Sequence, residues 1–555
     1  MRSSKFIFLA FLSVVSLFGF SNCSFFGPKN EITIGTLLSI RSIDPVSTTT
    51  FEQDLLVGAI YETLVKVELK GGSPSFEPNL LERLPITNDG GLNWQLQIRS
   101  GIKFQKSECF VDERDREFTS RDVAFSLSRG MHGSISQKGS LAFGDRLLGL
   151  KEWASAEKPD WSNLPSGIQV TNSTTLNLKF SKPFPDLIRY LVSPNFSILS
   201  EKCMRVMGFT AKHQAVGTGP FKLSDFGKTI TLERNTDYRD ARFPNLDKIT
   251  FKSEVSNNDG FLGAHSGEID LHIMNPHLYQ GVTKNGALLK DWERAGFSIL
   301  SWSKPAVTYL AFNMDNGELQ NQPQIRKAMW SALESKEVFS SSFGEMGQPT
   351  QTFVPQSISG LNTPLVPRDL EKGKQLLKEA GFSDSNSPPL VYLEIDDTSI
   401  SKLAGNILVD RLKMLGTPVS VRTNNWTDLF KRIGSKNYTL MLLTWNFDWL
   451  LPGNVLGTLY GKEAFPIGSN TTYFNNPLYN QWYEKLLSDG SSNVEAIQNL
   501  EKIIQSENPV IPLFNSNVIV AANSWVKDVD FSAFRYDALK DLSLDLKERK
   551  ALKAK

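Results

Sequence analysis

Five histidines, three cysteines and no HExxH, paired CxxC or GxSxG segment leave this chain little material for metal, thiol or serine chemistry. Glu268, Asp270, His272 and His277 come closest to a metal-ligand set. The first three equally fit the alternating polar positions of a strand, and we read them that way, with no metal or other cofactor expected. Gly217-Thr218-Gly219-Pro220-Phe221-Lys222 starts like a dinucleotide-binding loop. Lys222 stands where the third glycine belongs and Pro220 prevents a helix from opening, so the segment reads as a tight turn. No nucleophile–base pair is visible, and no catalytic residue is assigned; the chain does not read as an enzyme. Cys109 and Cys203 could form a disulfide or stay separate, because spacing alone does not bring two Cα atoms within reach.

The N-terminus says where the chain travels. Arg2 and Lys5 precede an apolar stretch from Phe6 to Phe20 that is too short to span a bilayer, so residues 1–22 read as a secretory signal peptide. Phe20-Ser21-Asn22-Cys23 resembles a bacterial lipobox, in which Cys23 would carry lipid and residues 23–30 would form a tether. Plain signal cleavage beside an incidental cysteine is the alternative. The expected location is the periplasm or cell envelope, with the chain held at the membrane as a lipoprotein. Such a compartment permits disulfides.

Across 555 residues, 60 Lys and Arg offset 59 Asp and Glu, a net charge of +1. That balance argues against a nucleic-acid partner, which usually meets a basic excess. Apolar residues make up 40% of the chain, enough for more than one core, and ~150 residues per domain suggests roughly three or four units.

The elements follow from periodicity. Ile32 and Ile34 begin a strand, and Trp94, Leu96 and Ile98 alternate with polar residues as a half-buried strand does. Ser100-Gly101 before Ile102 and Phe104 predicts a hairpin. Thr119 and Asp122 form a capping-box start for a helix that Gly130 would stop. Further on, Pro323, Leu370 and Ile400 open amphipathic helices, the last two closed by Gly381 and Gly416. Val419–Val421 and the nearly all-apolar run from Tyr438 to Trp445 read as strands, giving an α/β alternation.

Several segments, taken in order, resemble the extracellular solute-binding protein family 5, the dipeptide- and oligopeptide-binding proteins of ABC importers. Ala59 to Val65 (AIYETLV) resembles the family's YEGLV region, and Asp89 to Phe104 resembles its DGLTYTFKLRxGVKF segment. Thr119 to Arg129 is similar to TAEDVVFSLxR, Val216 to Phe221 reads VGTGPF, and Glu233 to Tyr238 is similar to ERNPDYW. Tyr309 to Met314 with Ile325 to Ala328 resembles YLxFN…VRQAL, and Leu376 to Phe382 resembles LLKEAGY. The resemblance implies a periplasmic-binding-protein-like α/β fold of two lobes and three domains, with a hinge and a ligand cleft between the lobes. Residues 31–47, 213–300 and 505–550 would form domain I, 48–212 domain II and 301–504 domain III. The turn at 217–220 would help close the first-lobe core.

The same resemblance implies a site. Thr444 to Asn454 (TWNFDWLLPGN) resembles the family's GWxxDYxDP segment, which places Asp448 as the receiver of a peptide's α-ammonium. A fixed countercharge suits a ligand that loses water, since two unit charges at 4 Å are worth ~4 kcal/mol at an effective dielectric of 20. Trp445 and Trp449 could form a flat apolar wall or belong to the core. Thr444 and Asn446 on one lobe, and Ser39, Ile40 and Arg41 on the other, would supply edges to which an extended peptide adds as a strand. Two departures stand out. Leu451 replaces the motif's second acid, and Glu394-Ile395-Asp396-Asp397-Thr398 lacks the arginine with which dipeptide-selective members grip a carboxylate. Longer peptides, or ligands bearing a cation, are therefore expected. The function implied is capture of oligopeptides and delivery to permease subunits; a nickel chelate or other non-peptide solute, or a surface interaction lipoprotein, are the alternatives.

Overall fold

A computed structural model describes residues 30–553, apart from 71–72, 145, 209–214, 275, 285–286, 295, 316–318, 334–342, 363–367 and 384. The leader and Cys23 lie outside the described residues. Among the described residues twelve strands make one mixed sheet, and its middle is the long strand Val510–Asn523. The first part of that strand pairs antiparallel with Ala306–Phe312. Beyond Ala306–Phe312 lie Leu440–Asn446, Val391–Asp396 and Val419–Asn424. The later part pairs with Phe297–Ser303 and Leu271–Ile273, and the sheet continues through Glu31–Thr36, Lys248–Lys252, Thr229–Arg234 and Phe221–Phe226. One strand thus belongs to two half-sheets, and the chain passes between them a second time at Lys304-Pro305, the link from Phe297–Ser303 to Ala306–Phe312.

Each half has its own core. Ile32, Ile34, Phe251 and Val520 pack in one, and Leu310, Leu393, Leu408, Leu442 and Leu513 in the other. Burying side chains of this size contributes ~1.5–3 kcal/mol each, so strands buried on both faces read as continuous apolar runs, as AVTYLAF does. The helices that pack on the second of these cores include Pro323–Ala332, Leu370–Glu379 and Ser399–Leu415. Thr398 accepts the Ser401 N–H at the start of the last, and Gly416 closes it in the left-handed region at φ 91°.

Residues 48–212 contribute a small three-stranded sheet in the order Asn93–Gln97, Thr175–Lys179, Ile168–Asn172. Trp94 and Leu96 alternate as a half-buried strand, but they pair with Leu178 and Leu176, and the expected hairpin to Phe104 does not form. After Gly101 (φ 77°) the chain turns off, and Phe104 N–H donates instead to the Arg116 carbonyl at 2.7 Å. Alternation marks a buried face without naming the strand's partner, which is why the local turn misled. Helix Ser120–Met131 carries the Thr119/Asp122 capping box and runs through Gly130. Gly130 is small because a Cβ would meet the Phe196 ring at 2.7 Å, so it serves packing and not a stop. Cys109 and Cys203 are joined in a disulfide with Cα atoms 5.1 Å apart.

The turn at 217–220 lies against the helix Phe51–Ile60: Gly219 N–H donates to the Ile60 carbonyl at 2.9 Å, and a Cβ on either glycine would collide with that carbonyl. Asp270 is buried and fully used, accepting from Thr33 N–H (2.8 Å) and Trp525 Nε1 (2.9 Å) and pairing with Arg549 (3.0 Å). The His272 ring is wedged near Gly35 and Gly260, where burial pushes its pKa down to about 4. Among the described residues no group of three His, Cys, Asp or Glu is placed to hold a metal.

Candidate functional site

The segment that follows strand Leu440–Asn446 is built by its neighbours. Thr444 stands opposite Thr308, their hydroxyls 2.9 Å apart, and Asn446 opposite Ala306. Phe447 N–H then donates to the Pro305 carbonyl at 2.9 Å, which carries the ladder one residue past the strand. The following turn is fixed by Asn454, whose Oδ1 accepts both Trp445 Nε1 (3.0 Å) and the Asp448 N–H (3.2 Å). Pro452 starts the short helix Pro452–Leu456 that holds Asn454 in place.

This turn forms one wall of a cavity of about 130 Å³. Its other walls are Thr48 to Phe51 with Asp54, residues 193–195, the link 303–305, and residues 531–536. Every part of the sheet that passes between the halves borders it. One water needs ~10–15 Å³ of such space, so the cavity has room for roughly ten waters. That is the bulk of a short peptide.

The electrostatics are bipolar. Asp54 and Asp448 bring negative charge, and burial, reinforced by both, holds the Tyr536 phenol well above its ordinary pKa, so it stays protonated. Lys304 and Arg535 bring positive charge. Arg535 is committed to Asp530 and Asp541. Burial lowers the Lys304 pKa, and the charges of Glu52 and Asp54 oppose that shift.

Of the residues singled out in the sequence, Asn446, Asp448 and Trp449 line this cavity. Thr444 and Trp445 stand beside it, engaged with Thr308 and Asn454. Trp449 is buried, with its ring against Phe196 (centroids 5.6 Å apart) and Tyr190 (5.1 Å). Ser39, Ile40 and Arg41 do not reach it; they line a separate, open cavity with Phe226 to Lys228, Ser253 and Glu254. Glu394 and Asp396 do not reach it either. Glu394 is fully buried against Asn424 (2.9 Å), Arg422 (3.3 Å) and Arg432 (3.5 Å), and Asp396 accepts the Thr398 N–H at 2.9 Å. The expectation that these acids favour a cationic ligand is therefore withdrawn, because their charge is spent inside the lobe. Asp54, Lys304 and Tyr536 were not foreseen; only Lys304 had a signal, its position at an expected crossing near residue 300.

Contacts between 48–212 and the later chain frame the same wall. Arg189 Nη1 donates to the Leu450 carbonyl at 3.0 Å, and the Asp186 carboxylate accepts the Ser491 N–H at 3.0 Å. Among the described residues no helix is long and apolar enough to cross a membrane.

The sequence model of the bacterial extracellular solute-binding proteins, family 5 (middle), matches residues 75–466, most of the chain. The chain belongs to this family. Its members are solute-binding components of ABC importers and not enzymes, and they work in the periplasm or outside the cell. Heme-binding protein A of Haemophilus influenzae is 26% identical over 503 residues, covering 88% of this chain and 87% of that protein. Di/tripeptide-binding protein 1 of Pseudomonas aeruginosa is 23% identical over 528 residues, covering 91% and 93%. The solved structure of DppA from Helicobacter pylori in complex with the peptide STSA superposes with a TM-score of 0.69 at 21% identity, covering 93% of this chain and 98% of that one. The fold is thus the two-lobe fold of periplasmic peptide-binding proteins.

Proposed function

We propose that this family 5 protein captures short peptides between its two lobes, with Asp448 receiving the α-ammonium, and delivers them to the permease of an ABC importer. One observation carries the reading: Asp448 lies on a cavity bordered by both half-sheets and by both strand crossings between them. A ligand there touches the parts that must move in hinge closure. The cavity's volume favours a short ligand over the longer peptides expected from the missing arginine. The ladder from Val391–Asp396 reaches only Leu440 and Met441 of the neighbouring strand, which supports an extended ligand lying along the later residues.

In the same proposal, Cys23 carries the lipid that holds the protein at the membrane, and the chain divides into domains I to III as the resemblance implies. Mass spectrometry of ligands that co-purify from cells tests the ligand class. Short peptides support the reading; a macrocycle of the kind named for the Haemophilus relative, or a chelated metal, would replace it.

A further inference from the structure

Lys304 occupies the two-residue link between the half-sheets, and its backbone is pinned there. Its N–H donates to the Ser516 carbonyl at 2.8 Å and its carbonyl accepts the Ala306 N–H at 2.7 Å. The next carbonyl, Pro305, takes the Phe447 N–H, so Lys304 and Asp448 are carried on adjacent strand ends facing one cavity. Among the described residues the Lys304 ammonium makes no hydrogen bond or contact ion pair; the carboxylates of Glu52 and Asp54 act on it only from farther away. The other cation on the cavity, Arg535, already has two acids. A cation that lines the cavity without a contact partner favours a ligand that supplies the anion.

We propose that Lys304 is a specificity-determining residue that receives a carboxylate of the ligand, so that Asp448 and Lys304 form the negative and positive poles of a site for short zwitterionic peptides. This rests on the reading of Asp448 given above and names the substrate class that follows from it. The arginine missing near Glu394 is then replaced from another place in the fold, the hinge itself. A di- or tripeptide bound in this cavity would have its free C-terminus recognised as well as its amino end.

The test is thermal-shift and calorimetric binding of a tripeptide pool, offered as free acids, as C-terminal amides and as N-acetyl acids, to the wild type, Lys304→Met and Lys304→Arg. The wild type is expected to bind free acids at least ~10-fold more tightly than amides, the scale of one charged hydrogen bond. Lys304→Met should bind both forms equally, at the level of the wild type with amides, and Lys304→Arg should keep the preference. N-acetylation should weaken the wild type and Lys304→Met alike. Equal binding of acids and amides by the wild type, or a preference that survives in Lys304→Met, overturns the role of Lys304. Loss of the acid preference in Lys304→Met with no effect of acetylation upholds Lys304 and removes Asp448 instead.

Discussion

Asp54 and Asp448 act on a single phenol, that of Tyr536, from opposite halves of the sheet. Asp54 is carried by the helix Phe51–Ile60, whose apolar face packs into the core around Ile32 and Val520, whereas Asp448 follows a strand of the other half. Their shared influence on one hydroxyl shows that the two halves meet in a small charged space. The same two carboxylates would favour a ligand ammonium there, while burial first, and the two acids in addition, keep the Tyr536 phenol protonated.

Trp449 is placed as a bridge between the aromatic cluster of residues 48–212 and the turn bearing Asp448. Trp449→Ala should therefore destabilise the fold by ~3–5 kcal/mol, the usual cost of deleting a large buried ring. Chemical denaturation checks this; a loss of binding with unchanged stability would mean that the ring serves only as a ligand wall.

The Cys109–Cys203 disulfide closes a loop with a sequence separation of 94. Replacing both cysteines by serine should lower stability by ~2–5 kcal/mol and leave ligand affinity unchanged, because neither residue borders the cavity. Denaturation and calorimetry on the same variant measure the two effects separately.

Glu501 is buried, and burial pushes its pKa from 4.5 up to about 7 even though the Phe353 N–H (3.1 Å) and Val354 N–H (2.8 Å) favour its charged form. Folding thus favours the protonated acid. Its contribution to stability is fully present below pH ~4.5 and is lost as pH rises toward 7, a change of about 3 kcal/mol. Glu501→Gln cannot ionise, so its stability relative to the wild type should rise by about that amount between pH 4.5 and 8. Parallel stability–pH curves for the two proteins would show that Glu501 does not titrate in this range.

How much of this was legible in the sequence depends on range. Helix Ser399–Leu415 announces itself through Ala404, Leu408 and Leu412 and the closing Gly416, all local signals. The partner of Trp94 and Leu96 is Leu178 and Leu176, and nothing local points to it. Asp448 stands out through its motif, but Asp54, Lys304 and Tyr536 join it only because distant segments converge, and none sits in a pattern of its own. Glu394 shows the converse: an acid that looks available in sequence is consumed by Arg422 and Arg432 from the next strand and helix.

The central claim is that Asp448 receives the amino end of a peptide, and the most direct measurement is calorimetric binding of one co-purified peptide, synthesised with a free or an acetylated N-terminus. Acetylation should weaken binding to the wild type by ~2–5 kcal/mol, the scale of losing one close charge pair across an interface, and Asp448→Asn should bind both forms alike. Equal binding of the two forms by the wild type, or an undiminished difference in Asp448→Asn, would contradict the account.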